Sequence, residues 1–144
     1  MTRIATYEDA NLLLRLYEIR REPRMREGRR WFAQKFKVKT LAEWQQLCAP
    51  GTDPNDYFRM VVTYWEMASS FVNSGVLHPE VFCQNCLEAL MVWTKISTFI
   101  QEYRTQYKNP GSFKNLEAAS LLFKKYLDQQ GPDAYEAFQN RWKS

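Results

Sequence analysis

The sequence predicts an all-α protein, a bundle of six or seven helices around a long antiparallel helical hairpin. Apolar residues recur at the three- and four-residue spacing of a helix face along most of the 144 residues. Prolines typical of helix starts and glycines typical of helix ends separate these segments. No segment shows the apolar alternation of a β-strand, and no unit of roughly 20 to 50 residues repeats.

The first third of the chain predicts three helices. The first covers residues 7–21, since Thr6 can cap it and apolar residues follow at helical spacing. The second begins at Pro23, whose fixed φ suits a first turn, although Gly28 weakens its continuity. A third, short helix follows Thr40 and Glu43, which have the spacing of a capping box. The apolar faces of the three helices are expected to carry Leu12, Leu16 and Ile19 flanked by Leu13 and Tyr17; Met25, Trp31, Phe32 and Phe36; and Leu41, Trp44 and Leu47.

Two long helices joined by a short turn are predicted in the middle of the chain. The first has Asp53 as its expected N-cap and Pro54 in its first turn, and it ends before Gly75. Because apolar residues cover most of its circumference, we expect it to be buried at the centre of the bundle. The second begins at Pro79 and continues unbroken until it ends before Asn109, a length of about 28 residues or roughly 40 Å.

The helix-start and helix-end signals in the last part of the sequence predict the remaining helices, and the chain length predicts the domain organisation. A helix is predicted between Ser112 and Gly131, and a last short one after Pro132. A chain of this length can bury the core of one domain. We therefore expect a single domain over residues 1–144, with a basic helical region at about 1–48 and a hairpin-centred core at about 53–143.

Composition predicts a cytoplasmic protein without membrane insertion. The N-terminus turns acidic where a signal peptide would be apolar, and no uncharged apolar stretch reaches the roughly 20 residues that span a bilayer. Three cysteines, an odd number, favour reduced thiols over a disulfide framework.

Positive charge is concentrated near the N-terminus, where residues 1–50 carry 11 Lys and Arg against 6 Asp and Glu. Six arginines fall within 11 residues: Arg20, Arg21, Arg24, Arg26, Arg29 and Arg30. The interpretation we favour is a solvated or internally paired face, since Glu18, Glu22 and Glu27 lie at pairing distance. A protein interface is the second interpretation. Nucleic acid or anionic lipid is the third, because such density, continued by Lys35, Lys37 and Lys39, can neutralise phosphates.

Two residues form a candidate polar site, Glu66 and His78. Glu66 lies between aromatic positions of a helix expected to be buried, where an unpartnered carboxylate is costly. It is therefore either a general base or ligand-binding carboxylate, or a structural group. The structural interpretation, which we favour, is an ion pair to an arginine such as Arg15, Arg20 or Arg104, or an edge position in water. His78, the only histidine, is most simply a cap or turn residue before Pro79.

The pair Cys83 and Cys86, with His78 and the distant Cys48, has the residue types of a zinc site. However, the pair is expected inside a helix, and no second paired motif exists. A thioredoxin-like role would need a βαβ setting. We therefore expect buried free thiols, no metal and no cofactor, and we assign no catalytic residue.

Several segments in order resemble a known kind of protein. They are residues 64–68 (YWEMA), 72–77 (VNSGVL), an aromatic-rich helix ending near Arg104, 113–117 (FKNLE) and 137–142 (AFQNRW). Together they look similar to an uncharacterised bacterial family of all-helical domains of unknown function. The resemblance covers roughly residues 57–142 and leaves out the arginine-rich region. It implies architecture alone, because such a family has no assigned activity to transfer.

The expected function is that of a binding, regulatory or scaffold module acting through protein contacts, and not an enzyme. The expected partner is another protein or a second copy of the chain, in a dimer formed through Met60, Met67 or the 93–107 stretch. The alternative is a nucleic-acid-binding protein that uses the basic surface of residues 20–39. An enzyme or metal protein built on Glu66, His78 and the cysteines comes third.

Overall fold

The computed structural model describes residues 3–143, and this part of the chain is helical without a β-strand. The predicted all-α fold class is confirmed. Nine helices occur in these residues: α1 (Tyr7–Arg20), α2 (Pro23–Lys35), α3 (Leu41–Leu47), α4 (Asp53–Asn73), α5 (Pro79–Asn85), α6 (Glu88–Ile96), α7 (Ile100–Gln106), α8 (Lys114–Gln130) and α9 (Ala134–Trp142). None of these nine helices combines the length and the apolar character that crossing a bilayer requires.

Helix α4 lies at the centre, and it packs chiefly against α2 on one side and α8 on another. The expectation of a largely buried helix is confirmed, since nine of its residues are buried, including Phe58 and Trp65. Its N-cap is Thr52, one residue earlier than predicted; the Thr52 hydroxyl accepts the Asn55 N–H at 3.4 Å. At the crossing with α2, a Cβ on Gly28 would come within 2.8 Å of the Met60 Cε. The lack of a side chain at Gly28 therefore lets α2 and α4 approach closely.

The predicted second arm of the hairpin is wrong. Residues 79–106 form three short helices, α5, α6 and α7, rather than one of about 28 residues, which raises the helix count above six or seven. At the second break, the Ser97 hydroxyl donates to the Thr94 carbonyl at 2.9 Å, and the Thr98 hydroxyl donates to the Val38 carbonyl at 3.1 Å. Such side-chain bonds compete with the backbone ladder of a helix. With the long helix broken, α8 rather than a hairpin partner is the main neighbour of α4 on that side.

The orientation of α1 also differs in part from the prediction. Leu16 is buried and Leu12 and Leu13 pack against the core, as expected. Tyr17 and Ile19, however, are 48% and 39% exposed. The buried face of α1 is therefore narrow, and apolar side chains remain on its outer side.

Candidate interaction surface

A buried carboxylate attaches the N-terminal segment and α1 to the rest of the domain. Asp9 is 1% exposed and accepts two hydrogen bonds at 2.6 Å from the Arg3 guanidinium. It also accepts the backbone N–H groups of Thr6 at 2.7 Å and of His78 at 2.9 Å. Chiefly through the Arg3 hydrogen bonds, and against the effect of burial, the pKa of Asp9 lies far below its usual value. The ionised carboxylate thus connects α1 to the turn before α5.

His78 is fully engaged in this connection. Its Nε2 lies 2.7 Å from the Arg3 carbonyl oxygen, and its Nδ1 accepts the Glu80 N–H at 3.1 Å. This hydrogen-bond pattern assigns the neutral tautomer with the proton on Nε2. The expected role of His78 as a cap before Pro79 agrees with this geometry, since it is the N-cap of α5.

Glu66 binds the start of α8 and none of the arginines proposed for it. Its carboxylate accepts the N–H of Leu116 at 2.9 Å, the N–H of Asn115 at 3.2 Å and the Asn115 side-chain amide at 2.9 Å. The residue before α8, Phe113, has φ of +59° and offers no side-chain cap. Glu66 therefore supplies from α4 the acceptor that the first turn of α8 lacks. The structure gives Glu66 and His78 separate sets of partners and does not bring them together as one site.

Three of the six arginines, Arg20, Arg24 and Arg29, are engaged by neighbouring side chains, although Arg24 remains exposed. Arg29 binds Glu88 with two hydrogen bonds, at 2.8 and 3.0 Å, and the same carboxylate accepts the Trp65 indole N–H at 2.8 Å. The guanidinium of Arg20 lies 5.2 Å from the centroid of the Trp65 ring. Arg24 donates to Glu27 at 3.2 Å and to the Tyr57 hydroxyl at 3.1 Å.

The other three arginines face solvent. Arg21 lies over the Tyr17 ring at 5.7 Å, and Arg26 and Arg30 lie one turn apart on the exposed side of α2. Between residues 3 and 143, neither Arg26 nor Arg30 forms a side-chain hydrogen bond or an ion pair. The six arginines therefore do not form one uniform surface.

Lys95, a buried residue that the sequence did not single out, binds the C-terminal end of α2. The Lys95 ammonium donates to the carbonyl oxygens of Phe32, Ala33 and Phe36 at 3.1, 2.9 and 3.0 Å. Burial first, and then the charges of Lys37 and Lys39, lower the pKa of Lys95 to about 8. The three carbonyl groups are the partners that hold the proton on the amine at neutral pH.

All three cysteines are buried, and none forms a disulfide bond. Burial raises the pKa of Cys48 and Cys83 to about 12 and that of Cys86 to about 11. Cys86 lies just past the end of α5 rather than within a helix, which corrects that expectation. In residues 3–143, no three His, Cys, Asp or Glu side chains are grouped so that they could hold a metal ion.

One open groove has a lining of mixed polar and apolar character. It encloses about 880 Å³ between the N-terminal segment, the start of α5 and the second half of α8. Arg3, His78, Glu80 and Lys125 are among its lining residues, and Glu66 is not. Since Arg3 and His78 already bind protein groups, the groove offers no free acid–base pair built from the predicted residues.

Among residues 3–143, several of the most exposed large apolar side chains lie on the outer face of α1. Tyr7, Ala10, Leu14 and Tyr17, called here the α1 stripe, recur at intervals of three, four and three residues and therefore lie on one side of the helix. Tyr7 is 87% exposed, Leu14 57% and Tyr17 48%. Ile4, just before the helix, is 87% exposed. Of the residues expected to form a dimer contact, Met60, Trp93 and Tyr103 are half-buried, whereas Met67 is 39% exposed and Tyr107, at 47%, is nearly as exposed as Tyr17.

The comparisons place the chain in a family. The model of the family described as "Domain of unknown function (DUF4760)" matches residues 5–120. The chain belongs to this family. No curated protein and no solved structure matches the chain significantly.

The resemblance to an all-helical domain family of unknown function is thereby confirmed, with different limits. The DUF4760 match includes α1 and the arginine-rich α2, which the resemblance left out, and it ends at residue 120, before α9. The stripe on α1 thus lies within the DUF4760 domain. Its signal was present in the sequence, since Tyr7, Leu14 and Tyr17 follow helical spacing on the side opposite Leu12 and Leu16.

Proposed function

We propose that this DUF4760 domain is a binding module that acts through protein contacts, and that the α1 stripe is its contact surface. The observation that carries the proposal is the exposure of Tyr7, Leu14 and Tyr17 on one face of a well-anchored helix. Single exposed apolar residues are ordinary, but a contiguous apolar face usually marks a contact site. Tyrosine is also enriched where proteins meet. A cytoplasmic location, expected from the cysteines, belongs to the same proposal.

Site-specific photo-crosslinking tests this function. A photoreactive amino acid replaces Leu14 in one variant and Leu121 in another, and both are irradiated in the cells that produce the protein. Leu121, on α8, is 69% exposed, so it is a matched apolar control away from α1. We expect a discrete protein adduct from position 14 and none from position 121. No adduct from position 14, or the same adducts from both positions, would contradict the proposal.

Nucleic-acid binding by the basic surface of residues 20–39 is the second candidate. It is supported by the exposure of Arg26 and Arg30 without partners in the described chain, and weakened by the ion pairs that Arg24 and Arg29 form with Glu27 and Glu88. Because so few of these arginine side chains lack a partner, we expect weak binding to random duplex DNA. This binding should disappear as the salt concentration approaches physiological levels. Fluorescence anisotropy measures this. Tight binding that survives salt and is lost in an Arg26→Glu, Arg30→Glu variant would make this candidate the first.

A further inference from the structure

The spacing of the α1 stripe is that of a seam between two helices. Tyr7, Ala10, Leu14 and Tyr17 alternate intervals of three and four residues, as the a and d positions of a heptad do. The exposed side of α1 therefore presents the row of side chains that a second helix would pack against.

The order of side-chain sizes makes the α1 stripe complementary to itself. When two copies of α1 run antiparallel about a twofold axis near residue 12, Tyr7 faces Tyr17 of the second copy, and Ala10 faces Leu14. In the two central layers a small side chain faces a large one, which lets the layers interdigitate, and in the two outer layers one tyrosine ring packs against another. We propose that the partner of the α1 stripe is a second copy of this chain, paired in this antiparallel way. The inference rests on the proposed function and names the partner of that same surface.

Charge around α1 is compatible with self-pairing. Of the charged residues between positions 7 and 21, Asp9 is buried, and Arg20 is half-buried with its guanidinium 5.2 Å from the Trp65 ring and 5.4 Å from the Tyr17 ring. The four that remain exposed are two of each sign: Glu8, Glu18, Arg15 and Arg21. A neutral surface of this kind brings little like-charge repulsion to a contact between copies, although the chain carries a net charge of +4. It also lacks the excess of basic residues that draws an amphipathic helix to an anionic membrane.

The surface area that pairing would bury agrees with a weak but specific dimer. An aromatic side chain buries about 150–250 Å², so the exposed parts of the α1 stripe and Ile4 amount to roughly 500 Å² per copy. Two copies would remove roughly 1,000 Å² from water, the lower end of specific interfaces. We therefore expect a dissociation constant on the order of micromolar.

The helix is held firmly enough to present such a surface. Leu16 is 2% exposed, its carbonyl accepts the Tyr64 hydroxyl, and Asp9 binds both Arg3 and the His78 N–H. Pairing can then occur without first ordering α1, which lowers the entropic cost of association.

Sedimentation velocity over a range of concentrations tests the dimer. Wild type is expected to change from 17.2 kDa toward twice that mass as its concentration rises to the order of 100 µM. Leu14→Glu should weaken dimerisation at least about 100-fold, because each copy would bury an unpaired charge. Leu121→Glu is the matched control and should dimerise like wild type. Circular dichroism confirms that both variants fold. A wild-type mass that stays at 17.2 kDa, or a dimer unaffected by Leu14→Glu, would overturn the inference.

Thiol crosslinking tests the antiparallel orientation. A short bifunctional thiol reagent is added to the Ala10→Cys variant, to the Leu14→Cys variant, and to their mixture; the native cysteines are buried and do not interfere. The adduct should form mainly in the mixture, since residue 10 faces residue 14 of the second copy. Adducts that form in each variant alone and are no more abundant in the mixture would indicate parallel pairing, in which residue 10 faces residue 10 and residue 14 faces residue 14, and would overturn the geometry.

Two further outcomes separate this inference from the proposed function. A monomer whose position 14 crosslinks to a different protein rejects the second copy but leaves the contact surface in place. A monomer that binds phosphatidylcholine–phosphatidylserine vesicles through Leu14, with no protein adduct, rejects both.

Discussion

Replacing Glu66 with glutamine should destabilise the fold through α8, although the two residues have nearly the same shape. The carboxylate accepts two backbone N–H groups and one side-chain amide at the start of α8. Glutamine keeps one acceptor oxygen, loses the charge, and points an NH₂ group toward donors. Loss of a capping acceptor costs about 0.5–2 kcal/mol, and loss of a negative charge at a helix N-terminus costs about 0.3–1 kcal/mol. We therefore expect a free energy of unfolding lower by about 1–2 kcal/mol.

Urea unfolding followed by far-UV circular dichroism measures this difference. For a chain of this size, a loss of 1–2 kcal/mol lowers the urea midpoint by about 0.5–1 M with an unchanged slope. The control is Glu102→Gln, because Glu102 is exposed and forms no ion pair in the part of the chain that the structure describes. The Glu102→Gln substitution should lower the free energy of unfolding by no more than about 0.5 kcal/mol. If both variants unfold at the same midpoint, Glu66 does not cap α8.

Three further predictions concern buried polar groups. Asp9 has a lowered pKa in the folded state, so its stabilisation is complete at neutral pH and is lost as pH falls below its unfolded value of about 3.9. Asp9→Asn should therefore be less stable at pH 7 and lose less stability in acid; parallel pH profiles in urea unfolding would contradict this. Lys95→Met leaves three carbonyl oxygens without a donor and should lower the unfolding free energy by about 2–3 kcal/mol; unchanged stability would show that the ammonium is not required. With their pKa values raised by burial, Cys48, Cys83 and Cys86 should react slowly with a disulfide reagent at pH 8 in the native protein and fully in denaturant. Elemental analysis should find no stoichiometric zinc, and rapid native labelling or one zinc per chain would refute this account of the thiols.

The helix starts were predictable because they depend on local chemistry. Pro23 and Pro79 each stand at the first position of a helix, and the Thr40 hydroxyl accepts the Glu43 N–H at 3.2 Å as its spacing predicts. Gly75 adopts φ of +83° after α4, the left-handed conformation expected of it. These signals act within a few residues of each other, so they can be read without the tertiary structure.

The breaks between α5, α6 and α7 were not predictable in this way. No glycine or proline occurs between Pro79 and Pro110, so local sequence favours one continuous helix. The chain bends instead where side chains bind distant groups, as Thr98 binds the Val38 carbonyl and Lys95 binds the end of α2. Such contacts exist only after the bundle has formed.

For the candidate site residues, too, local features could be read from the sequence and tertiary partners could not. The sequence indicated that Glu66 needs a partner, but not that the partner is the N-terminus of α8. One of the three arginines named as candidate partners, Arg104, pairs instead with Glu117 at 3.0 Å. On α1 the core-facing Leu12 and Leu16 were predicted correctly, but Tyr17 and Ile19 were placed with them and are exposed, because helical periodicity does not tell how wide the buried face is.

Hydroxyl-radical footprinting would test most directly whether the α1 stripe is a contact surface. Oxidation of Leu14 and Tyr17 is measured in the cells that produce the protein and in the dilute purified protein, with Leu121 as the exposed reference. We predict that Leu14 and Tyr17 are oxidised more slowly in the cell, while Leu121 reacts equally in both settings. Equal oxidation of all three residues in both settings would mean that nothing covers α1 and would contradict the account.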